Sequence, residues 1–123
     1  MIRLFLLTVS IFCVSVVAQA KTYRALIIGI DQYKPPANVT AESSRSLWRN
    51  LSGCVNDASA MRDLVVAKFG FASRNITTLF NTEAKRERII GELKKLISSA
   101  EKGDVVFIYY AGHGKRCDAD GYF

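Results

Sequence analysis

Residues 23–30 form a nearly continuous apolar run, YRALIIGI, which limits what the chain can fold into. Such a run suits a strand of a parallel sheet, which helices bury on both faces. A second run of this kind, VVFIYY, occupies residues 105–110 and predicts another buried strand. Between the two runs the pattern predicts a helix over residues 57–69, a short strand over Ile76–Phe80 and a second helix over residues 82–100.

Both predicted helices carry start and stop signals. Asn56 can cap the first helix, and Gly70 fits the position just after its last turn. Thr82 can cap the second helix, whose apolar stripe is formed by Ile89, Ile90, Leu93, Leu96, Ile97 and Ala100. The element order β-α-β-α-β, with right-handed crossovers, predicts the α/β class, a three-layer α-β-α sandwich with a mostly parallel sheet.

Three strands are few for this architecture. In the strand order 2-1-3, the third strand has an open hydrophobic edge, which is an aggregation hazard. We therefore expect a fourth strand to belong there, and we interpret the chain as a fragment truncated after the third core strand.

The first twenty residues have the pattern of a secretory signal peptide. Arg3 supplies a positive start, residues 4–17 are apolar, and Ala18-Gln19-Ala20 fits a cleavage site. The apolar run is shorter than the roughly 20 residues of a spanning helix, and an uncleaved N-terminal anchor is the alternative. We expect residues 1–20 to be removed, leaving no stable membrane span, and the protein to be periplasmic or secreted.

The chain has 123 residues, a formal net charge of +6 and 50% hydrophobic residues. This length suits one modest domain, residues 21–123, and the composition excludes a disordered chain. The positive charges are scattered, apart from residues 85–88 and 94–95 on the predicted second helix. A solvated helix face explains them better than nucleic-acid binding, so we expect no nucleic-acid partner.

His113 is the only histidine, and it stands between two glycines just past the last predicted strand. Ligands of open α/β sheets bind outside the carboxyl ends of the strands, so we interpret His113 as a functional residue. Cys–His catalysis is one hypothesis, in which the imidazole takes a thiol proton and later returns it to a leaving amine. Cys54 precedes the first helix, where the helix dipole lowers a thiol pKa, whereas Cys117 lies in a polar loop. Neither is a convincing nucleophile, and the two could form a disulfide in an exported protein.

A metal site is a weaker hypothesis. The ligand types cluster near the end of the sequence, but their spacing matches no strong zinc pattern. The residues concerned are His113, Cys117, Asp118 and Asp120. We assign neither a metal nor a cofactor to the chain.

Four segments together resemble the caspase-like cysteine peptidases, metacaspases and their bacterial relatives in particular. They are residues 25–30, 51–58, 103–110 and 111–114, and their order and approximate intervals match the family. The Gly-Cys-Val-Asn-Asp run followed by Tyr-Tyr-Ala-Gly-His-Gly is the most specific part. The resemblance covers residues 23–123 and implies a caspase-like fold.

The resemblance also implies roles for individual residues. His113 matches the catalytic histidine, which assists a thiolate and protonates the leaving amine. Gly114 matches the residue whose backbone N–H helps bind the tetrahedral oxyanion. Cys54 and Asp57 match positions lining the S1 pocket, where a carboxylate selects Arg or Lys at P1. Ala111 departs from the pattern, because metacaspases usually carry Ser there.

In this family the nucleophilic cysteine follows the next strand, so the resemblance places it beyond Phe123. The implied function is a cysteine endopeptidase that cleaves polypeptides after Arg or Lys. The alternative is a non-catalytic caspase-fold module for binding or signalling. Many metacaspases need calcium, but the acids that bind it lie largely beyond this end, and we assign none to Asp118 or Asp120.

Overall fold

The computed structural model describes residues 21–34 and 49–114. The predicted signal peptide, Cys117, Asp118 and Asp120 lie outside these ranges. The elements are β1 (Tyr23–Gly29), α1 (Cys54–Phe69), β2 (Ile76–Phe80), α2 (Arg86–Ser99) and β3 (Val105–Ala111). Short 3-10 turns at Ser73–Asn75 and Asn81–Glu83 flank β2. The predicted order β-α-β-α-β is confirmed.

The three strands form one parallel sheet in the order β2-β1-β3. β1 is central, and Leu26 and Ile27, which point to opposite faces, are both 0% exposed. The strands end side by side, because Gly29 pairs with Phe80 of β2 and with Ala111 of β3. We call this end of the sheet, from which the loops after Gly29, Phe80 and Ala111 leave, the carboxyl edge.

One helix packs on each face of the sheet. On the first face, Ala58 and Val65 of α1 contact Ala25 and Ile27 of β1. On the second face, α2 packs against β1 and β2 through a narrower stripe than predicted. Ile89, Leu93 and Leu96 contact the sheet residues Leu26, Ile28 and Leu79. Ile90 and Ile97 are exposed, so their predicted place in this stripe is wrong. The α/β class with helices on both sides of a parallel sheet is confirmed.

β3 is buried on one face only. Val105, Phe107 and Tyr109 pack on the α1 side, whereas Val106, Ile108 and Tyr110 are exposed on the other. The prediction that this strand is buried on both faces is therefore wrong for the described residues, because α2 covers β1 and β2 instead. Within the described ranges, no strand pairs with the outer edge of β3.

Both helices begin at residues other than those predicted. α1 begins at Cys54, with Gly53 rather than Asn56 before its first turn, and no side chain of the capping residue bonds the helix. α2 begins at Arg86 rather than after Thr82, because residues 81–83 form a 3-10 turn. The end of α1 agrees with the prediction, since Gly70 has a left-handed φ of 75° and its N–H donates to the Val65 carbonyl.

Candidate active site

Asp31, which follows β1 at the carboxyl edge, provides the N-terminal cap of α1. Its carboxylate oxygens accept the N–H groups of Cys54 at 2.8 Å and Val55 at 3.2 Å. The first N–H groups of a helix have no partner within the helix, so a carboxylate there also interacts favourably with the helix dipole. The carbonyl of Asp31 accepts the Leu51 N–H at 2.8 Å, which ties the chain before α1 to the end of β1.

Asn81 holds the same loop from the side of β2. Its Oδ1 accepts the N–H groups of Asp31 at 2.9 Å and Gln32 at 3.1 Å. Asn81 has a φ of 47°, a left-handed conformation that Asn tolerates better than most residues. The side chain that follows β2 therefore fixes the course of the chain that follows β1.

Cys54, half-buried in the first turn of α1, has a thiol that resists ionisation. Its pKa is raised, first by burial, then by a hydrogen bond with Asp31 and by the negative charges of Asp31 and Asp57. The net shift of the Cys54 pKa is thus opposite to the predicted lowering, because burial and the Asp31 and Asp57 carboxylates outweigh the backbone hydrogen bond that lowers it. Among the described residues Cys54 has no disulfide partner, and its protonated thiol is a poor nucleophile. A disulfide with Cys117 stays a prediction, because Cys117 lies outside the described residues.

His113 lies two residues past β3, and two phenol groups bind its backbone. The His113 N–H donates to the Tyr33 hydroxyl oxygen at 2.7 Å. The Tyr110 hydroxyl donates to the His113 carbonyl at 2.8 Å. The imidazole also lies against the Tyr33 ring, with the centroids 4.6 Å apart and the planes tilted by 54°.

The imidazole is oriented by the backbone carbonyl of Arg49, which lies 2.6 Å from Nε2. A carbonyl oxygen can only accept, so Nε2 carries the hydrogen, and Nδ1 of the neutral ring carries a lone pair instead. Among the ring nitrogens, Nδ1 is therefore the one available to take a proton from another group.

Gly29 lies between the first turn of α1 and Ala111 of β3. A Cβ added there would lie 2.8 Å from the Ala58 Cβ and 2.9 Å from the Cys54 carbonyl, so β1 touches the first turn of α1. Gly29 pairs with Ala111, and the Ala111 carbonyl accepts the Ile30 N–H at 2.9 Å. Asp57, one turn after Gly53, is exposed at the surface. Gly114, also exposed, follows His113.

Sequence reasoning missed Asp31, Tyr33, Asn50, Asn81 and Tyr110. Four of them follow or precede a strand or helix at the carboxyl edge, and polar residues just after a parallel strand were the available signal. Tyr110 lies in the Tyr-Tyr-Ala-Gly-His-Gly motif, but nothing in the sequence distinguished a role for it from that of a residue of the apolar run.

Neither a metal cluster nor a membrane-spanning helix occurs in the part of the chain that the structure describes. Residues 21–34 and 49–114 contain no group of three His, Cys, Asp or Glu side chains placed to hold a metal ion. None of the helices in the same ranges has the length and hydrophobicity that crossing a membrane requires.

Comparison with known proteins agrees with the resemblance of the motifs. The family profile described as "Metacaspase, peptidase C14 domain" matches residues 23–122. Metacaspase-7 of Arabidopsis thaliana is 39% identical over an alignment of 98 residues, and the match covers 76% of this chain and 21% of that protein. Metacaspase-6 of the same plant is 34% identical over an alignment of 102 residues, and the match covers 79% of this chain and 24% of that protein.

A relative from a second organism matches a similar share of the chain. Metacaspase-1 of Plasmodium falciparum (isolate 3D7) is 32% identical over 113 residues, covering 80% of this chain and 16% of the relative. The chain thus spans about a quarter or less of the length of these three proteins. The match over residues 23–122 includes every element of the described fold, and the chain belongs to the metacaspase family of caspase-like cysteine peptidases.

Proposed function

We propose that this chain supplies the histidine side of the active site of a cysteine endopeptidase, with the nucleophilic cysteine in sequence that follows Phe123. The observation that carries the proposal is the orientation of His113. Its Nε2 bonds the Arg49 carbonyl at 2.6 Å, which leaves Nδ1 as the proton acceptor at the carboxyl edge of a parallel sheet. The short share of each metacaspase that the chain covers supports a nucleophile elsewhere in the protein.

In the proposed reaction, His113 acts as general base and then as general acid. Nδ1 takes the thiol proton, and the thiolate sulfur bonds to the scissile carbonyl carbon while the carbonyl electron pair moves to oxygen. When the oxyanion collapses, the C–N bond breaks, and the imidazolium gives its proton to the departing amine. Water then hydrolyses the thioester, assisted by the same imidazole.

Gly114 is proposed to donate its backbone N–H to that oxyanion. A backbone donor that is fixed before the reaction stabilises charge as it develops, without reorganising during the step. Gly114 is exposed, and it has no side chain to obstruct an approaching substrate carbonyl.

The proposed S1 pocket lies at the first turn of α1, with Cys54, Asp57 and Ala111. Asp57 is exposed and carries the carboxylate that would pair with Arg or Lys at P1. Cys54, whose raised pKa favours the neutral thiol, would contribute contact surface rather than charge. Ala111 can offer no side-chain hydrogen bond to the P1 residue. The substrate is proposed to be a polypeptide. The protein would encounter it after residues 1–20 have directed its export.

The test is cleavage of fluorogenic peptides by the protein expressed from its complete reading frame. Peptides ending in Arg, Lys or Asp at P1 are compared, and we expect turnover of the first two. His113→Ala should lower kcat by about 10³-fold or more, as loss of a catalytic base does. Lys94→Ala, on the exposed side of α2, is the matched control and should leave the rate unchanged.

The S1 assignment has its own pair of variants in the same assay. Asp57→Asn should lower kcat/KM for Arg and Lys peptides, whereas Asp63→Asn, farther along α1 and equally exposed, should not. Full activity in His113→Ala would refute the proposal. No turnover by the wild-type protein, together with no labelling by thiol-directed peptidyl inhibitors, would favour the non-catalytic module instead.

A further inference from the structure

We propose that Tyr33 and Tyr110 are positioning residues that clamp the His113 backbone by binding its N–H and its carbonyl, and that Tyr110 thereby aims the Gly114 N–H. This inference rests on the proposed function, because it assigns the two phenols to the placement of the general base and of the oxyanion donor. Neither phenol need touch the substrate, so both would act through His113 and Gly114.

The segment that carries His113 needs external support. It follows the last residue of β3 and has glycine on both sides, so its backbone has many accessible conformations. The nitrogen of a general base must be held within a few tenths of an ångström of its reactive position. A larger misplacement lowers the rate of the reaction. The position of His113 is therefore determined by its hydrogen bonds to residues outside this segment.

Tyr33 binds the N–H group of His113. Its hydroxyl oxygen accepts the His113 N–H at 2.7 Å, and its ring lies 4.6 Å from the imidazole centroid. Tyr33 is itself held, because its N–H donates to the Asn50 Oδ1 at 2.8 Å. Asn50 adjoins Arg49, whose carbonyl bonds Nε2. The backbone and the ring of His113 are thus fixed against the same stretch of chain.

Tyr110 binds the carbonyl group of His113, and this hydrogen bond has a geometric consequence. The His113 carbonyl, which accepts the Tyr110 hydroxyl at 2.8 Å, and the Gly114 N–H belong to one peptide unit. That unit is planar and trans, so its C=O and N–H point in opposite directions. A donor that fixes the carbonyl therefore fixes the direction of the Gly114 N–H. Polarisation of the peptide by this bond also strengthens the N–H as a donor.

The two hydroxyls converge under Gly112, which explains why that residue has no side chain. A Cβ at Gly112 would lie 2.6 Å from the Tyr33 hydroxyl oxygen and 2.7 Å from that of Tyr110. Partial burial, followed by a hydrogen bond with Tyr33, raises the pKa of Tyr110 to about 12. Tyr110 therefore keeps its proton, and remains a donor, throughout the pH range of a peptidase assay.

The kinetic test uses Tyr110→Phe and Tyr33→Phe in the protein expressed from its complete reading frame. Tyr23→Phe is the control, since it removes a hydroxyl at the opposite end of β1. We expect Tyr110→Phe to lower kcat about 10-fold and to leave KM within twofold, because the oxyanion exists only after attack. Inhibition by a peptidyl aldehyde, whose hemithioacetal carries that oxygen, should weaken by a similar factor. Equal changes in Tyr23→Phe, or an effect on KM alone, would overturn the inference.

A second measurement, hydrogen exchange, tests the clamp without requiring enzymatic turnover. Hydrogen exchange of the His113 amide should become at least fivefold faster in Tyr33→Phe, which loses the acceptor, and should not change in Tyr23→Phe. Unchanged exchange overturns the role of Tyr33 whether or not the protein is active. The two hypotheses fail differently. An inactive His113→Ala with an unaffected Tyr110→Phe refutes the clamp alone, whereas an active His113→Ala refutes the proposed function.

Discussion

Substituting Gly29 by alanine tests how β1 and α1 are joined at the carboxyl edge. The added Cβ would lie 2.8 Å from the Ala58 Cβ, 2.9 Å from the Cys54 carbonyl oxygen and 3.0 Å from the Val55 Cα. Two of these three atoms belong to the helix backbone, so no side-chain rotation can relieve the contact. The whole first turn of α1 would have to move away from the sheet by several tenths of an ångström.

Overpacking of this kind costs about 1–3 kcal/mol, and the backbone contacts place Gly29→Ala toward the upper value. Gly91→Ala is the matched control. Gly91 lies inside α2, and a Cβ there would meet nothing within 4 Å. The same chemical change should therefore stabilise the protein by about 0.5–1 kcal/mol, because alanine loses less backbone freedom and has the higher helix propensity.

Urea unfolding followed by far-ultraviolet circular dichroism measures both variants against the wild type. The midpoint should fall for Gly29→Ala and rise for Gly91→Ala, with an unchanged slope. The proposed peptidase activity adds a second comparison, since a displaced α1 carries Cys54 and Asp57 with it. A Gly29→Ala variant as stable as the wild type would refute the close packing of β1 against the first turn of α1.

Two carboxylates give further predictions. Asp31→Ala removes the acceptor for the N–H groups of Cys54 and Val55 and should lower the unfolding free energy by about 2 kcal/mol; an unchanged urea midpoint would contradict its capping role. The Asp104 carboxylate accepts the N–H groups of Glu101 and Thr22, and these hydrogen bonds, with Arg24 beside them, hold its pKa below the ordinary 3.8. Because the pKa is lower in the folded state, the stabilisation is present above pH 3.8 and is lost as the pH falls toward the folded value. Asp104→Asn should therefore be less stable than the wild type at neutral pH and should show a flatter loss of stability in acid, which thermal melts across that range would detect.

The order of elements could be predicted from the sequence because each strand carries its own local signal. Residues 23–30 are apolar on both faces, and the structure buries β1 between α1 and α2. β3 has the same appearance in sequence, yet Val106 and Ile108 are exposed. An apolar run indicates that both faces of a strand can be buried, but it does not indicate which helices or strands cover those faces.

The helix starts could not be predicted, because their determinants are distant in sequence. Local capping rules favoured Asn56, but the N-terminus of α1 is satisfied by Asp31, which lies 23 residues earlier. Likewise, His113 was recognised from its glycine neighbours, whereas its contact with Tyr33 spans 80 residues. Long-range hydrogen bonds of this kind leave no periodic or spacing signal in a single sequence.

The loop after β1 links the stability of the fold to the candidate active site. Asp31 begins that loop and caps α1, on which Cys54 and Asp57 lie. Tyr33, two residues later, binds the His113 backbone. Asn81 fixes the loop from the next strand by accepting the Asp31 N–H. A displacement of this short segment would therefore move the proposed S1 residues and the histidine together. The cap of α1 and the placement of His113 therefore both depend on the course of this one loop.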